Sequence, residues 1–275
     1  MKLKPVVHFR NLYEFIRQSF LLGFSFLDKL RLLYLFLRWR ILENFDKIAF
    51  YKLLRVPKFL RMRFNGKLIK LFIPEDITFI AALHEIFVRK DYALPADFKP
   101  RTILDIGANF GLASLYFTSI YPDALIYAFE PASANYKYLL SNISPFGNIK
   151  SFNCAISSKQ GEIKLFVDGK HGGWNSLIGS SDKFEVVKTL SLDDFVKEHA
   201  ITSIDLIKID VEGAEMDILS NFKGLSKTLC IIGELHYDLI DKSEMLRLLN
   251  AHFNLEMLDI HPLCPVFIGF NKNIK

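Results

Sequence analysis

Residues 9–54 carry apolar runs such as LLYLFL, interrupted at Asp28, Arg31, Arg38, Asn44, Lys47 and Tyr51. That period predicts two or three amphipathic helices. Residues 61–74, RMRFNGKLIKLFIP, alternate instead around Asn65-Gly66. The alternation predicts a hairpin with Phe64, Leu68 and Phe72 on its buried face and Pro74 closing its second strand. A helix over 77–88 follows, and 90–100 reads as a polar connector in which Tyr92 packs.

From residue 102 strands and helices alternate. TILDIGANFG, at 102–111, is a β-branched and apolar run that reaches Asp105 and then breaks into glycines and small residues, so a strand feeds a tight turn. A helix over 112–121 ends at Pro122-Asp123. ALIYAFEP is a second strand tipped by Glu130, and Ser133 caps a helix to about 142. IKSFNCAIS is a third strand, GEIKLFVD an additional one, and HGGWNSLIGS at 171–180 has no period and reads as a long loop. Residues 184–190 form another strand, and Ser191 caps a helix to 199. IDLIKIDVEGAE holds a buried parallel strand, after which Gly213 bends the chain into a helix over 214–222. TLCIIGELH is again a buried strand. A helix over 242–253 precedes LEMLDIH and VFIGF, an antiparallel pair. The sum is about seven sheet strands with helices between the first five: a doubly wound, mostly parallel α/β sheet of Rossmann-like form behind an N-terminal helical extension.

Length and composition refine this picture. With 275 residues, 51% of them apolar, the chain has room for one α/β domain and an accessory segment, and disorder is argued against. The expected divisions are 1–60 (basic amphipathic helical extension), 61–100 (hairpin and helix leading into the core) and 101–275 (the doubly wound α/β domain). Cys154, Cys230 and Cys264 lack CxxC spacing, which supports neither a zinc site nor a disulfide framework. The first apolar stretch, at 20–27, is too internal for a usual signal peptide and lacks a cleavage site. A cytoplasmic location is expected, with the inner membrane face as a peripheral alternative.

Charge is uneven. Residues 1–60 hold twelve Lys/Arg against four acids, net +8, whereas the whole chain is +5. Charges interrupt every window long enough to span a bilayer. Two readings of the segment therefore stand: a membrane-surface helix pair with Phe/Leu/Trp faces and basic heads, or a cap packed on the core or in a dimer contact. The packed cap is the default, since aliphatic helical stripes usually face a core.

The chemistry lies in the glycine turn. Glycines at 107 and 111 permit positive φ and close backbone approach, and Glu130, nineteen residues after Gly111, is placed to accept from both hydroxyls of a ribose. The spacing Gly107, Asn109, Gly111 departs from GxGxxG, and a carboxylate at Asp105 would repel a pyrophosphate. A cationic nucleoside cofactor, S-adenosylmethionine, suits the charges better.

DIGANFG, AFEP, NCAIS, TLSLDDF and LIKIDVEGAEMDIL, in this order and spacing over about 95–240, resemble the FkbM-type family of S-adenosylmethionine-dependent methyltransferases. The resemblance implies a seven-stranded class I methyltransferase sheet and methyl transfer, usually to a hydroxyl of a sugar or natural product. It implies that Asp105 orders the turn and reaches the methionine ammonium, that Gly107, Asn109 and Gly111 lie against the cofactor, and that Glu130 holds the ribose. Asn135 sits near the ribose or faces solvent, and Cys154 with Ala155 flanks adenine. Asp210, Glu212 and His236, at strand tips, are candidate bases for the hydroxyl proton, His236 having the most suitable intrinsic pKa. Glu215 is one helical turn on, and Lys208 is expected to pair with one of these acids. With a histidine, the carboxylates also suit Mg²⁺, so a divalent metal stays open. Trp174, Asn175 and Ser176, with His171, suit a sugar face, and Glu234 joins the acceptor side. A nucleic-acid substrate is disfavoured, because the basic segment is apolar-rich and an amine-methylating Asn/Asp-Pro-Pro-Tyr motif is absent after the fourth strand.

Overall fold

The computed structural model describes residues 5–44, 56–166, 183–258 and 264–273, which form two compact units that divide after Arg89. In the first, helices α1 (Pro5–Leu22) and α2 (Phe26–Asn44) pair through a short connection. Phe15 stacks on Phe36 at 5.3 Å, and both meet the His84 ring edge-on. Buried Asp28 accepts from Ser25 and pairs with Arg61 at 3.1 Å, tying the start of α2 to strand β1. Strands β1 (Phe59–Phe64) and β2 (Lys67–Phe72) form the expected hairpin, with Asn65 and Gly66 both at positive φ (46° and 76°).

Its buried face differs from the expectation. The two-residue turn pairs Phe64 with Lys67, so Leu60, Met62, Ile69 and Leu71 share one face and are fully buried. Leu68 and Phe72 fall on the opposite face, where Leu68 is 51% exposed. Side chains alternate with period two, and the turn therefore forbids Phe64 and Leu68 from sharing a face. Helix α3 (Ile77–Leu83) is capped by Asp76, which accepts from the Thr78 amide, and runs into a π-helical turn over His84–Arg89.

The second unit is built on a seven-stranded sheet: β3 (Thr102–Ile106), β4 (Leu125–Phe129), β5 (Ile149–Phe152), β9 (Leu206–Ile209), β10 (Cys230–Glu234), β11 (Phe253–Met257) and β12 (Val266–Asn271). The order is β11-β12-β10-β9-β3-β4-β5. All neighbours are parallel except β12, which runs antiparallel to β10 and β11. The doubly wound α/β sheet is as expected. Helices α4 (Leu112–Ile120), α5 (Ser133–Ile143), α6 (Leu192–Glu198), α7 (Glu215–Asn221) and α8 (Lys242–His252) connect the strands. Ser191 and Asp241 cap α6 and α8 by accepting from amides three residues on. Phe195 of α6 meets Phe129, Phe152 and Tyr127 edge-on at 4.7–5.3 Å and is fully buried, which contributes about 2–3 kcal/mol.

The stretch expected as one third strand is two. After β5, Asn153 turns its side-chain amide back to the Glu130 and Pro131 carbonyls. Ala155–Ile156 then becomes β6 of a separate three-stranded sheet, ordered β6-β8-β7, with β7 (Gly161–Phe166) and β8 (Phe184–Leu190).

Candidate functional site

Strands β3, β4, β9 and β10 end at one edge, and beside β3 the order reverses, with β4 on one side and β9 on the other. Open sheets hold ligands at such a point. A cleft open to solvent occupies it.

The glycine turn forms one wall. Gly107 has φ 79°, and a Cβ there would stand 1.8 Å from the Asp210 carbonyl oxygen, so only glycine lets the end of β3 pass the end of β9. Asn109 is also left-handed, at φ 50°. Its amide donates to Glu130 Oε2 at 2.8 Å, and the Ala132 amide donates to Oε1 at 2.9 Å. Glu130 is thus fixed at the tip of β4. Burial pushes its carboxyl up to about 7, against the pull of the two amides and Lys208. Asn109 Oδ1 is buried and has no hydrogen-bond partner.

Asp105 does not line the cleft. It is fully buried, accepts from the Ser114 hydroxyl at 2.6 Å and pairs with Lys208 Nζ at 3.4 Å. Lys208 donates to the Gly107 carbonyl at 2.6 Å and lies 3.7 Å from Asp210. Burial opposes its charge, but Asp105, then Asp210 and Glu234, outweigh that and raise its pKa. The lysine on β9 therefore neutralises the carboxylate on β3 and braces the turn. Tyr92 is packed as expected, buried and stacked on Phe117 at 6.2 Å.

The opposite wall is apolar. Phe129, Cys154, Ala155 and Ile156 line it with Leu165 of β7, and Asn135, buried in the first turn of α5, stands beside them. Burial pushes the Cys154 thiol up to about 12, which makes it an inert apolar surface.

At the ends of β9 and β10 the acids meet a histidine. Asp210 and Glu212 line the cleft, and Glu212 holds a left-handed φ of 53°. His236 Nδ1 donates to buried Glu215 at 2.6 Å, while Nε2 lies 3.2 Å from Glu212 and 3.9 Å from Asp210. Burial works against the charged ring, but bonds with Cys264 and Glu215 and the nearby Asp210 and Glu212 push its pKa up to about 12. Burial and Asp210, only partly offset by His236, push Glu212 up to about 7. Asp210, Glu212 and His236 bring one donor atom each within 4.8 Å of one another, a two-carboxylate and one-imidazole set of the kind that binds a divalent cation. Glu234, at the end of β10, accepts from the Cys264 thiol at 3.1 Å. The edge carries Asp105, Glu130, Asp210, Glu212, Glu215 and Glu234 against Lys208 and His236, an excess of acids over bases.

A model of the FkbM methyltransferase domain matches residues 105–256 of this chain. The chain belongs to the FkbM methyltransferase family. Among relatives of this methyltransferase, the 2-O-methyltransferase NoeI of Sinorhizobium fredii is 34% identical over 151 residues, 48% of this chain and 62% of that protein. Methyltransferase 1 of Beauveria bassiana is 29% identical, covering 57% of this chain and 68% of that protein. The hexuronic acid methyltransferase AglP of Haloferax volcanii is 26% identical, covering 62% and 70%. The chain thus spans about two thirds of the length of these relatives, and slightly less for NoeI.

Of the residues singled out from sequence, the structure gathers Gly107, Asn109, Glu130, Asn135, Cys154, Ala155, Asp210 and Glu212 on the cleft, with His236 touching its acidic side. Gly111, at φ 86°, starts α4 against Leu139 and does not line the cleft. Trp174, Asn175, Ser176 and His171 lie outside the described residues. Sequence reasoning missed Ile156 and Leu165, because their place depends on the second sheet. It also missed the Glu215–His236 bond, for which the helical spacing of Glu215 behind Val211 was the only signal.

Proposed function

We propose that this methyltransferase uses S-adenosylmethionine to methylate a hydroxyl of a sugar, glycan or related natural product. The observation that carries the reading is the geometry at the cleft: Glu212 stands on its wall beside Asp210, 3.2 Å from the His236 ring, and burial and Asp210 raise its pKa. A base near neutrality in contact with the acceptor side is what removal of a hydroxyl proton requires. The names of NoeI, a 2-O-methyltransferase, and AglP, a hexuronic acid methyltransferase, support the acceptor class.

The residues fit the cofactor. An orphaned acceptor at Asn109 Oδ1 and the Cβ-free approach at Gly107 offer a partner and room for a bound molecule beside the turn. Glu130 keeps a free lone pair on each oxygen for ribose hydroxyls, Asn135 stands near them, and Phe129, Cys154, Ala155, Ile156 and Leu165 offer an apolar slot for a base. The anionic edge favours a cation and repels a pyrophosphate. Asp105 supports the methionine end indirectly by fixing Lys208 and the turn. When bound, S-adenosylmethionine supplies a methyl group on a positively charged sulfur. Glu212 then takes the acceptor hydroxyl proton, His236 holds the Glu212 carboxylate in place and lowers its pKa, and Glu215 fixes the ring through Nδ1. Asp210 and Glu234 complete the polar wall on the acceptor side.

Calorimetry with S-adenosylhomocysteine tests the cofactor assignment: binding to the intact chain, lost in Glu130→Ala, is expected. Absence of binding by the intact chain refutes it. Transfer of a radiolabelled methyl group to a panel of hexoses, hexuronic acids and oligosaccharides tests the acceptor class, and turnover only on amines or nucleic acid refutes that part.

A further inference from the structure

We infer that the α1–α2 hairpin is a docking surface for an anionic lipid bilayer, a reading independent of the acceptor assignment. The hairpin is apolar on two faces. One is packed: Phe15, Leu22, Leu32, Leu35 and Phe36 are buried within the first unit. The other is bare. Tyr13 is 68% exposed, Leu21 60%, Phe26 68% and Leu27 54%; Ile16 and Phe20, one turn apart on α1, are exposed too, as is Phe24 in the connection to α2. Nine of the sixteen exposed large apolar side chains among the described residues fall between positions 12 and 30. Such concentration differs from the scattered exposure of an ordinary surface and marks an interaction site.

Charge selects the occupant. Residues 1–89 hold seventeen Lys/Arg against seven acids, a net charge of +10. Basic heads sit on the aromatic residues of the bare face: Lys29 over Phe20 at 5.3 Å, and Arg61 and Arg63 each over Phe24 at 5.4 Å. The acids nearby are already engaged, Glu14 with Arg17 and Asp28 with Arg31 and Arg61. Aromatic and leucine side chains beside basic heads are the composition of interfacial helices, which gain from apolar burial and from anionic headgroups together. A second copy would set two strongly positive units face to face, and a nucleic acid would leave the apolar side chains facing phosphates. No helix among the described residues is long and apolar enough to cross a membrane, so the contact is one of surface docking.

Co-sedimentation of the full chain with vesicles tests this. Vesicles with about 30% phosphatidylserine in phosphatidylcholine are expected to retain the protein at least about tenfold more strongly than phosphatidylcholine alone, with the advantage falling as salt is raised. The triple variant Tyr13→Ser, Phe26→Ser, Leu27→Ser removes exposed groups only. It is expected to lose vesicle binding by about tenfold or more while keeping its circular dichroism spectrum and its affinity for S-adenosylhomocysteine. Leu140→Ser, at an exposed apolar position on α5, is expected to change nothing. Failure of the intact chain to sediment with anionic vesicles overturns the inference, as does equal binding by the triple variant. Concentration-dependent dimerisation without vesicles, abolished by the same triple, would assign the face to a second copy instead.

Discussion

Glu130 gives the sharpest quantitative test. Its carboxyl titrates near 7 in the folded chain against 4.5 ordinarily, because it is buried. The native state therefore holds a proton that the unfolded state has released between these values. A carboxyl raised on folding contributes stability that is fully present below pH 4.5 and lost as pH rises to about 7. Raising the carboxyl from 4.5 to about 7 corresponds to about 3 kcal/mol. In Glu130→Gln the titration is gone. One oxygen still accepts, but an amide NH₂ now faces either the Asn109 or the Ala132 N–H, a roughly pH-independent loss of about 1–3 kcal/mol. Urea unfolding followed by circular dichroism at several values between pH 4.5 and 8 measures both. The variant is expected to be less stable than the parent at pH 4.5, and the stability difference between them is expected to shift in favour of the variant by about 3 kcal/mol by pH 7.5. Parallel stability curves for the two proteins over this range would refute the reasoning, since the contribution of Glu212 is common to both and cancels.

Four further outcomes follow from the site. Gly107→Ala forces a Cβ to within 1.8 Å of the Asp210 carbonyl from a left-handed backbone, and a loss of about 2–4 kcal/mol with loss of S-adenosylhomocysteine binding is expected by denaturation and calorimetry. Glu212→Gln is expected to lower kcat about 10²- to 10⁴-fold on the best acceptor and to abolish the rise in rate through about pH 7. His236→Gln removes the cation that lowers Glu212 and leaves Glu215 buried without its partner; the alkaline-going limb of the pH–rate profile is expected to move upward, with a stability loss of about 3–5 kcal/mol. Asn109→Gly keeps the left-handed turn but removes the orphaned Oδ1, and calorimetry is expected to show cofactor affinity reduced by about five- to tenfold, the worth of one hydrogen bond.

Much of this protein is local and so can be read along the chain. Asp76, Ser191 and Asp241 cap helices whose starts depend on a few neighbouring amides. The Asn65-Gly66 pair specifies its hairpin, and the run TILDIGANFG specifies a strand and a turn. Because parallel strands deliver their tips to one edge, a list of acids at strand ends (Glu130, Asp210, Glu212) already outlined the cleft. Tertiary structure decided the rest, since it depends on approaches between residues far apart in sequence. Asp105 belongs to Lys208, a residue 103 positions on, and supports the cleft from beneath its lining. Pairing of Ala155 with Thr189 carries Ile156 and Leu165 to the cleft through a second sheet. An isolated histidine has the intrinsic pKa of a base, yet contacts with Cys264, Glu215, Asp210 and Glu212 outweigh burial and raise that of His236, so the proposed mechanism gives the base role to Glu212. In the β-hairpin, Arg61, Arg63 and Lys70 share the face of Leu68, so the register set by the turn is what leaves Leu68 in water and buries Leu60. On α1–α2 both faces are apolar, hydrophobicity along the chain carries no information about which is covered, and packing makes the choice by burying Phe15 and leaving Tyr13 in water.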